Sequence, residues 1–143
     1  MSLRGSAAIV GIGELPTLRN YPGRTTNSLL SEAARLAIAD AGLRKDDIDG
    51  IMTRGTDVNP MDLAEYMGLS VGFCEGNTQH GSAGAHSVAM AAAAIQAGLA
   101  NTVMCVLGGS RDPGSGGFGP GMVRGPAPAS VGSEWEAPFG PAA

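Results

Sequence analysis

Positive charge, cysteine, histidine and long apolar runs are all scarce in this sequence of 143 residues. Nine Lys and Arg face thirteen Asp and Glu, a formal net charge of −4. No basic field exists to hold a phosphate backbone, which argues against a nucleic-acid partner. Two cysteines are too few for the disulfide framework of a small secreted scaffold. Cys74 and Cys105 both fall in stretches that read as buried strands, where a thiol has a raised pKa and is inert, so both are expected in the core and a reducing cytoplasm is the expected compartment. The two histidines, His80 and His86, stand six apart without a third, so no metal site is expected; Cys74 and Glu75 upstream are its remaining alternative ligands. No uncharged apolar run reaches the roughly 18 residues of a membrane span, and the N-terminus lacks the pattern of a signal peptide. The chain is expected to be soluble, with no membrane span.

Glycine and proline are plentiful but unevenly placed: residues 108–143 hold 10 of the 23 Gly and 6 of the 9 Pro. Residues 1–107 instead alternate compact apolar segments with short polar joints. Ser6 to Glu14 is an uncharged apolar run ending in glycines, the pattern of a strand covered on both faces. Thr26 to Ala41 spaces Leu29, Ala33, Leu36 and Ala37 as a helix, with Gly42 just beyond. Gly50 to Thr53 reads as a second strand. Asn59-Pro60 opens a short helix, Met61 to Met67, closed by Gly68. A weaker third strand is expected at Val71 to Glu75. A turn from Gly76 to Ser82 leads into the longest helix, with Val88, Ala91, Ala92, Ile95 and Leu99 on one face and Gly98 at its end. Thr102 to Leu107 is the fourth strand. The order β-α-β-α-β-α-β predicts an α/β layered fold with a mainly parallel sheet. The Gly/Pro tail, with Val131, Trp135 and Phe139 as its few anchors, is long for a loop inside a finished domain and reads as if cut off.

Three motifs invite a chemical reading. Gly11-Ile12-Gly13 after a first strand suggests a dinucleotide turn, but the third glycine would fall at Pro16 and the next helix begins only near Thr26; glycines that end a strand account for it better. The Asp46, Asp47, Asp49 cluster reads as a solvated turn with local Asx hydrogen bonds rather than a metal site or a pair of catalytic carboxylates. His80-Gly81-Ser82-Ala83-Gly84-Ala85-His86 is the most informative stretch. Small residues there hand a strand over to a helix, where free amides and the positive end of the helix dipole would stabilise an oxyanion. The plainer reading has Ser82 capping the helix and the glycines permitting the turn.

Ala8-Ile9-Val10-Gly11-Ile12-Gly13-Glu14, Gly23-Arg24-Thr25, Ala39-Asp40-Ala41-Gly42-Leu43, Ile48-Asp49-Gly50 and Gly84 to Gly98 follow one another in a way that resembles the N-terminal half of thiolases. The likeness covers residues 6–109 and is greatest to the sterol-carrier-type and lipid-transfer-protein branch, often labelled acetyl-CoA acetyltransferase. The resemblance implies a thiolase-like layered fold, with a five-stranded mixed sheet in each of two halves. Residues 1–109 would be an incomplete first half, and residues 110–143 the start of a loop domain inserted between its fourth and fifth strands. It also implies CoA thioesters as substrates, no permanently bound cofactor, and a homodimer paired through the third strand. In active thiolases a nucleophilic Cys stands at the start of the third helix; matching Gly84, Met90 and Ile95-Gln96-Ala97-Gly98 to the family pattern places that position at Gly81. His80 and Ser82 are its neighbours and the remaining candidates. The missing sulfur points to the branch that resembles retro-aldolases of steroid side-chain CoA thioesters, which work with a small OB-fold partner protein and carry their acid and base groups in the second half. The alternative is a noncatalytic thiolase-fold subunit that offers a dimer or partner platform.

Overall fold

A computed structural model describes residues 3–16, 18, 21–55 and 58–108, apart from the side chain of His80. The inserted loop domain expected at 110–143, with Val131, Trp135 and Phe139, lies outside the described residues. The elements run α1 (Thr26–Asp40), β1 (Gly50–Arg54), α2 (Pro60–Met67), β2 (Phe73–Asn77), α3 (Ala83–Gln96) and β3 (Val103–Val106), with 3₁₀ turns at Lys45–Asp47 and His80–Ser82. The three strands form a parallel sheet in the order β2-β1-β3. Gly50 pairs with Phe73 on one side and Val103 on the other. A Cβ on Gly50 would meet Val103 Cγ2 at 2.9 Å, so glycine is needed where the central strand begins.

Local chemistry explains the helix ends. Thr25 Oγ1 accepts from the Ser28 amide at 3.2 Å and caps α1. Asn59 Oδ1 accepts from the Met61 amide at 2.9 Å, Pro60 fills the first helical position, and Gly68 at φ 62° ends α2 in the left-handed region. Leu30 and Ala34 of α1 and Leu63 and Ala64 of α2 close over Ile51, Met104 and Val106 to form the core. Met52, next along β1 and also fully buried, points to the opposite face, where α3 packs.

Four expectations need correction. Ser6 to Glu14 forms no strand: the segment is extended but unpaired, with Ile9, Val10 and Ile12 each more than 60% exposed. It lies along α1, tied by the Ile12 amide donating to Asp40 Oδ2 at 2.9 Å. The sheet among the described residues is therefore three-stranded and wholly parallel, not a four-stranded mixed one. β2 starts two residues later than expected and runs on to Asn77, since its pairing with β1 is set by register and not by its own apolar content. The buried face of α3 is Ala83, Ser87, Ala91 and Ala94, whereas Val88 and Leu99 are exposed, because only small side chains let the helix approach the sheet closely.

Asp49, too, departs from the expected solvated turn. Its carboxylate accepts from the amides of Asn101 and Thr102 at 2.8–2.9 Å and from Asn101 Nδ2 at 2.8 Å, clamping the start of β1 to the approach to β3. Asp47, by contrast, fits the local reading, accepting from the Arg44 amide at 2.7 Å. Partial burial works to raise the Asp49 pKa, but the hydrogen bonds from Thr102 and Asn101 outweigh it and hold the carboxyl below its ordinary value of 3.8. A pKa depressed by folding contributes stability that is fully present above the unfolded value and lost as pH falls through the folded one. Denaturation midpoints followed from pH 7 to pH 2 should therefore fall in acid, and Asp49→Asn should remove part of that fall while lowering the neutral-pH midpoint. An unchanged acid slope in the variant would show that the clamp is not what titrates.

Candidate active site at the entrance to α3

The entrance to α3 is built by the end of β2 and the turn that follows it. Asn77, the last strand residue, is buried, and its carboxamide faces the first turns of α3. Gln79 accepts at its carbonyl from both the Ser82 amide, at 3.0 Å, and the Ser82 hydroxyl, at 2.9 Å. Ser82 thus occupies the N-cap position without capping, which corrects the plainer reading of this residue. Its hydroxyl proton is committed to the Gln79 carbonyl. His80 opens the 3₁₀ turn, and its side chain lies outside the described part of the structure.

Gly81 and Gly84 are both exposed, and a Cβ at either would meet no heavy atom within 4 Å. The helix start is therefore open to solvent and not tucked beneath side chains. The amides of the first turn lie at the positive end of the helix dipole. Two grooves lie away from this entrance, one of about 550 Å³ between α1 and α2 and one of about 750 Å³ among residues 6–13, α1, the later turns of α3 and β3. Among the described residues no group of three metal-ligating side chains converges.

Neither cysteine belongs to this site. Cys105 is pushed up to about 11 by burial, and Cys74 is raised by burial and by the neighbouring Glu75. Both are half-buried rather than buried, and Cys74 packs against the core cluster. A Gly81→Cys variant makes the contrast measurable. The side chain has room, so the melting temperature should barely change, and the helix dipole should favour its thiolate. Its alkylation by iodoacetamide at pH 7 should be at least about 10²-fold faster than that of Cys105, whose thiolate fraction there is on the order of 10⁻⁴. Equal rates at the two positions would show that the entrance carries no useful positive potential.

Sequence reasoning missed Asn77 and Ser87, which hold this entrance from within. The only signal was a serine standing four residues from Ala83 and four from Ala91 on the small-residue face of α3.

No protein-family model matches the chain. It is 37% identical over 105 residues to a steroid side-chain-cleaving aldolase of Thermomonospora curvata, covering 72% of this chain and 27% of that protein. It is likewise 37% identical over 105 residues to a 17-hydroxy-3-oxo-4-pregnene-20-carboxyl-CoA lyase of Mycobacterium tuberculosis, covering 71% and 27%. Among solved structures it is similar to an Ltp2-ChsH2(DUF35) aldolase, with a TM-score of 0.69 and 32% identity over 93% of this chain and 33% of that one. The chain thus spans about a quarter of the length of the curated relatives it matches. A third relative, 37% identical over 90 residues, is a beta-ketoacyl-[acyl-carrier-protein] synthase III of Cereibacter sphaeroides, covering 59% of this chain and 28% of that protein. No helix among the described residues is long and apolar enough to cross a membrane.

Proposed function

We propose that this chain is the N-terminal part of a thiolase-like lyase that cleaves a carbon–carbon bond in a CoA thioester of lipid or steroid side-chain type. The observation that carries this reading is the 37% identity over 105 residues to two proteins named for such cleavage. In the retro-aldol reaction a base removes the proton of a β-hydroxyl and the Cα–Cβ bond breaks. The oxygen-bearing fragment leaves as a ketone, and the bond's electron pair passes into a thioester enolate, which a proton at carbon converts to the shorter acyl-CoA. Charge develops on the thioester oxygen, where the amides at the start of α3 would act. No covalent acyl-enzyme is needed, so glycine at position 81 is compatible with the reaction. The acid and base groups are assigned to the part of the protein beyond these 143 residues, as are strand five and the remainder of the loop domain that begins at 110–143. A cytoplasmic homodimer without a resident cofactor, joined by an OB-fold protein, completes the proposal.

The test is turnover of β-hydroxyacyl-CoA thioesters by the full-length protein, with and without the OB-fold partner, read as ketone and shortened acyl-CoA by mass spectrometry. No turnover together with no CoA-thioester binding rejects the reading. One observation favours a second one: position 81 has no nucleophile and the Ser82 hydroxyl is engaged by Gln79, as in a noncatalytic subunit serving as a dimer or partner platform. A stable complex with a partner and no turnover in any combination would support that alternative.

A further inference from the structure

We infer that Asn77 is a positioning residue for the chemistry proposed above, fixing through its carboxamide where the α3 entrance amides stand; the inference rests on that functional reading. Asn77 is 5% exposed and Ser87 is fully buried. Asn77 Nδ2 donates to Ser87 Oγ at 2.8 Å and to the Ala83 carbonyl at 3.4 Å, while its Oδ1 accepts from the Gln79 amide at 3.2 Å. The Gln79 carbonyl in turn accepts from the backbone and side chain of Ser82. One side chain therefore ties the end of β2 to the turn carrying Gly81 and to the first two turns of α3.

Packing alone does not require this arrangement. Elsewhere on the α3 side of the sheet the buried side chains, Met52, Ala91 and Ala94, are apolar, and burying an amide and a hydroxyl costs free energy unless they are hydrogen-bonded. Here each such atom has a partner: no described buried side-chain nitrogen or oxygen is left without a hydrogen bond. What directional hydrogen bonds add over apolar contact is a defined position. An oxyanion donor is effective only at about 2.7–3.1 Å from the developing charge, and a misplacement of about 1 Å costs on the order of 10²-fold in rate.

The experiment compares Asn77→Ala and Ser87→Ala with Leu63→Ala, a destabilising control on the opposite face of the sheet, in the full-length protein. In Asn77→Ala, kcat for β-hydroxyacyl-CoA cleavage should fall about 10²-fold with KM within a few-fold, and amide exchange across residues 81–87 should accelerate more than that of β1. Leu63→Ala should lower the melting temperature without a selective change at 81–87. Ser87→Ala, which removes only the 2.8 Å bond, should show the same split at about tenfold and serves if Asn77→Ala does not fold. Unchanged kcat, or exchange at 81–87 that merely follows the melting temperature as in Leu63→Ala, overturns the inference while leaving the function standing. Absence of cleavage by the unsubstituted protein overturns the functional reading, and the catalytic part of this inference with it.

Discussion

Leu63→Ala should cost about 2–5 kcal/mol and lower the melting temperature by at least about 10 °C. Leu63 is the one α2 side chain with no exposed surface, and it sits against the Ile51, Met104 and Val106 side of the sheet with Leu30 and Ala34 of α1 closing from above. Removing its isobutyl group leaves a cavity that three separate elements line, and none can move in alone: β1 is hydrogen-bonded to strands on both sides, and α2 is held by its Asn59 cap and by Thr53 Oγ1 donating to the Val58 carbonyl at 2.9 Å. Against a total stability of about 5–15 kcal/mol this is a large share. Leu63→Met, which keeps the volume, should cost less than about 1.5 kcal/mol. Chemical denaturation of both variants checks the pair, and equal losses would mean that the α2 contact is not a packed one.

Gly13→Ala should be the second most damaging change, at about 1–3 kcal/mol. A Cβ at position 13 would lie 2.1 Å from the Ala33 carbonyl oxygen and 2.5 Å from the Ala37 amide nitrogen, both backbone atoms of α1 that cannot step aside. Gly11 meets the same helix one turn on, 2.3 Å from the Ala37 carbonyl oxygen. Relief requires the whole strap to lift, which breaks the hydrogen bond from Ile12 to Asp40. Ile12 itself is 72% exposed, so Ile12→Ala should fall within about 0.5 kcal/mol of the parent. A core strand would give the reverse order, with Ile12→Ala costing most. The two variants, compared by thermal melt and by protease cleavage within residues 6–14, therefore decide between a strap on α1 and a strand in the sheet.

That contrast also shows what is legible in this sequence. Caps and glycine stops are local chemistry, so α1 and α2 are readable to within a residue or so, as are β1 and β3 from their apolar runs. The run Ile9-Val10-Gly11-Ile12 looks the same whether it pairs in a sheet or rides on a helix; the difference depends on a ladder partner that no local pattern names. β2 ends in Gly76 and Asn77, poor strand residues by composition, retained because β1 supplies the pairing and the Asn77 side chain is needed inside. On α3 a ranking by hydrophobicity selects Val88 and Leu99, but closeness of approach selects Ala83, Ser87, Ala91 and Ala94. At the candidate site, the small residues of 81–84 mark an open helix start from sequence alone. The engagement of Ser82 by Gln79 and the Asn77–Ser87 bond are spatial facts, and nothing in the spacing anticipates them.

The parallel arrangement of the sheet has a kinetic side. Neighbouring strands here are never joined by a tight turn, so no hairpin can zip and every ladder must close a long stretch of chain. β1 and β2 meet across α2, whereas β1 and β3 meet only when Asp49 reaches Asn101, 52 residues along the chain. Loop-closure entropy orders these events, with the β1–β2 unit forming before β3 joins it. On a ribosome, residues through Val106 must emerge before the central strand acquires its second neighbour. Until then a nascent chain shows one bare side of Gly50–Arg54, and that interval is when a chaperone has most to shield.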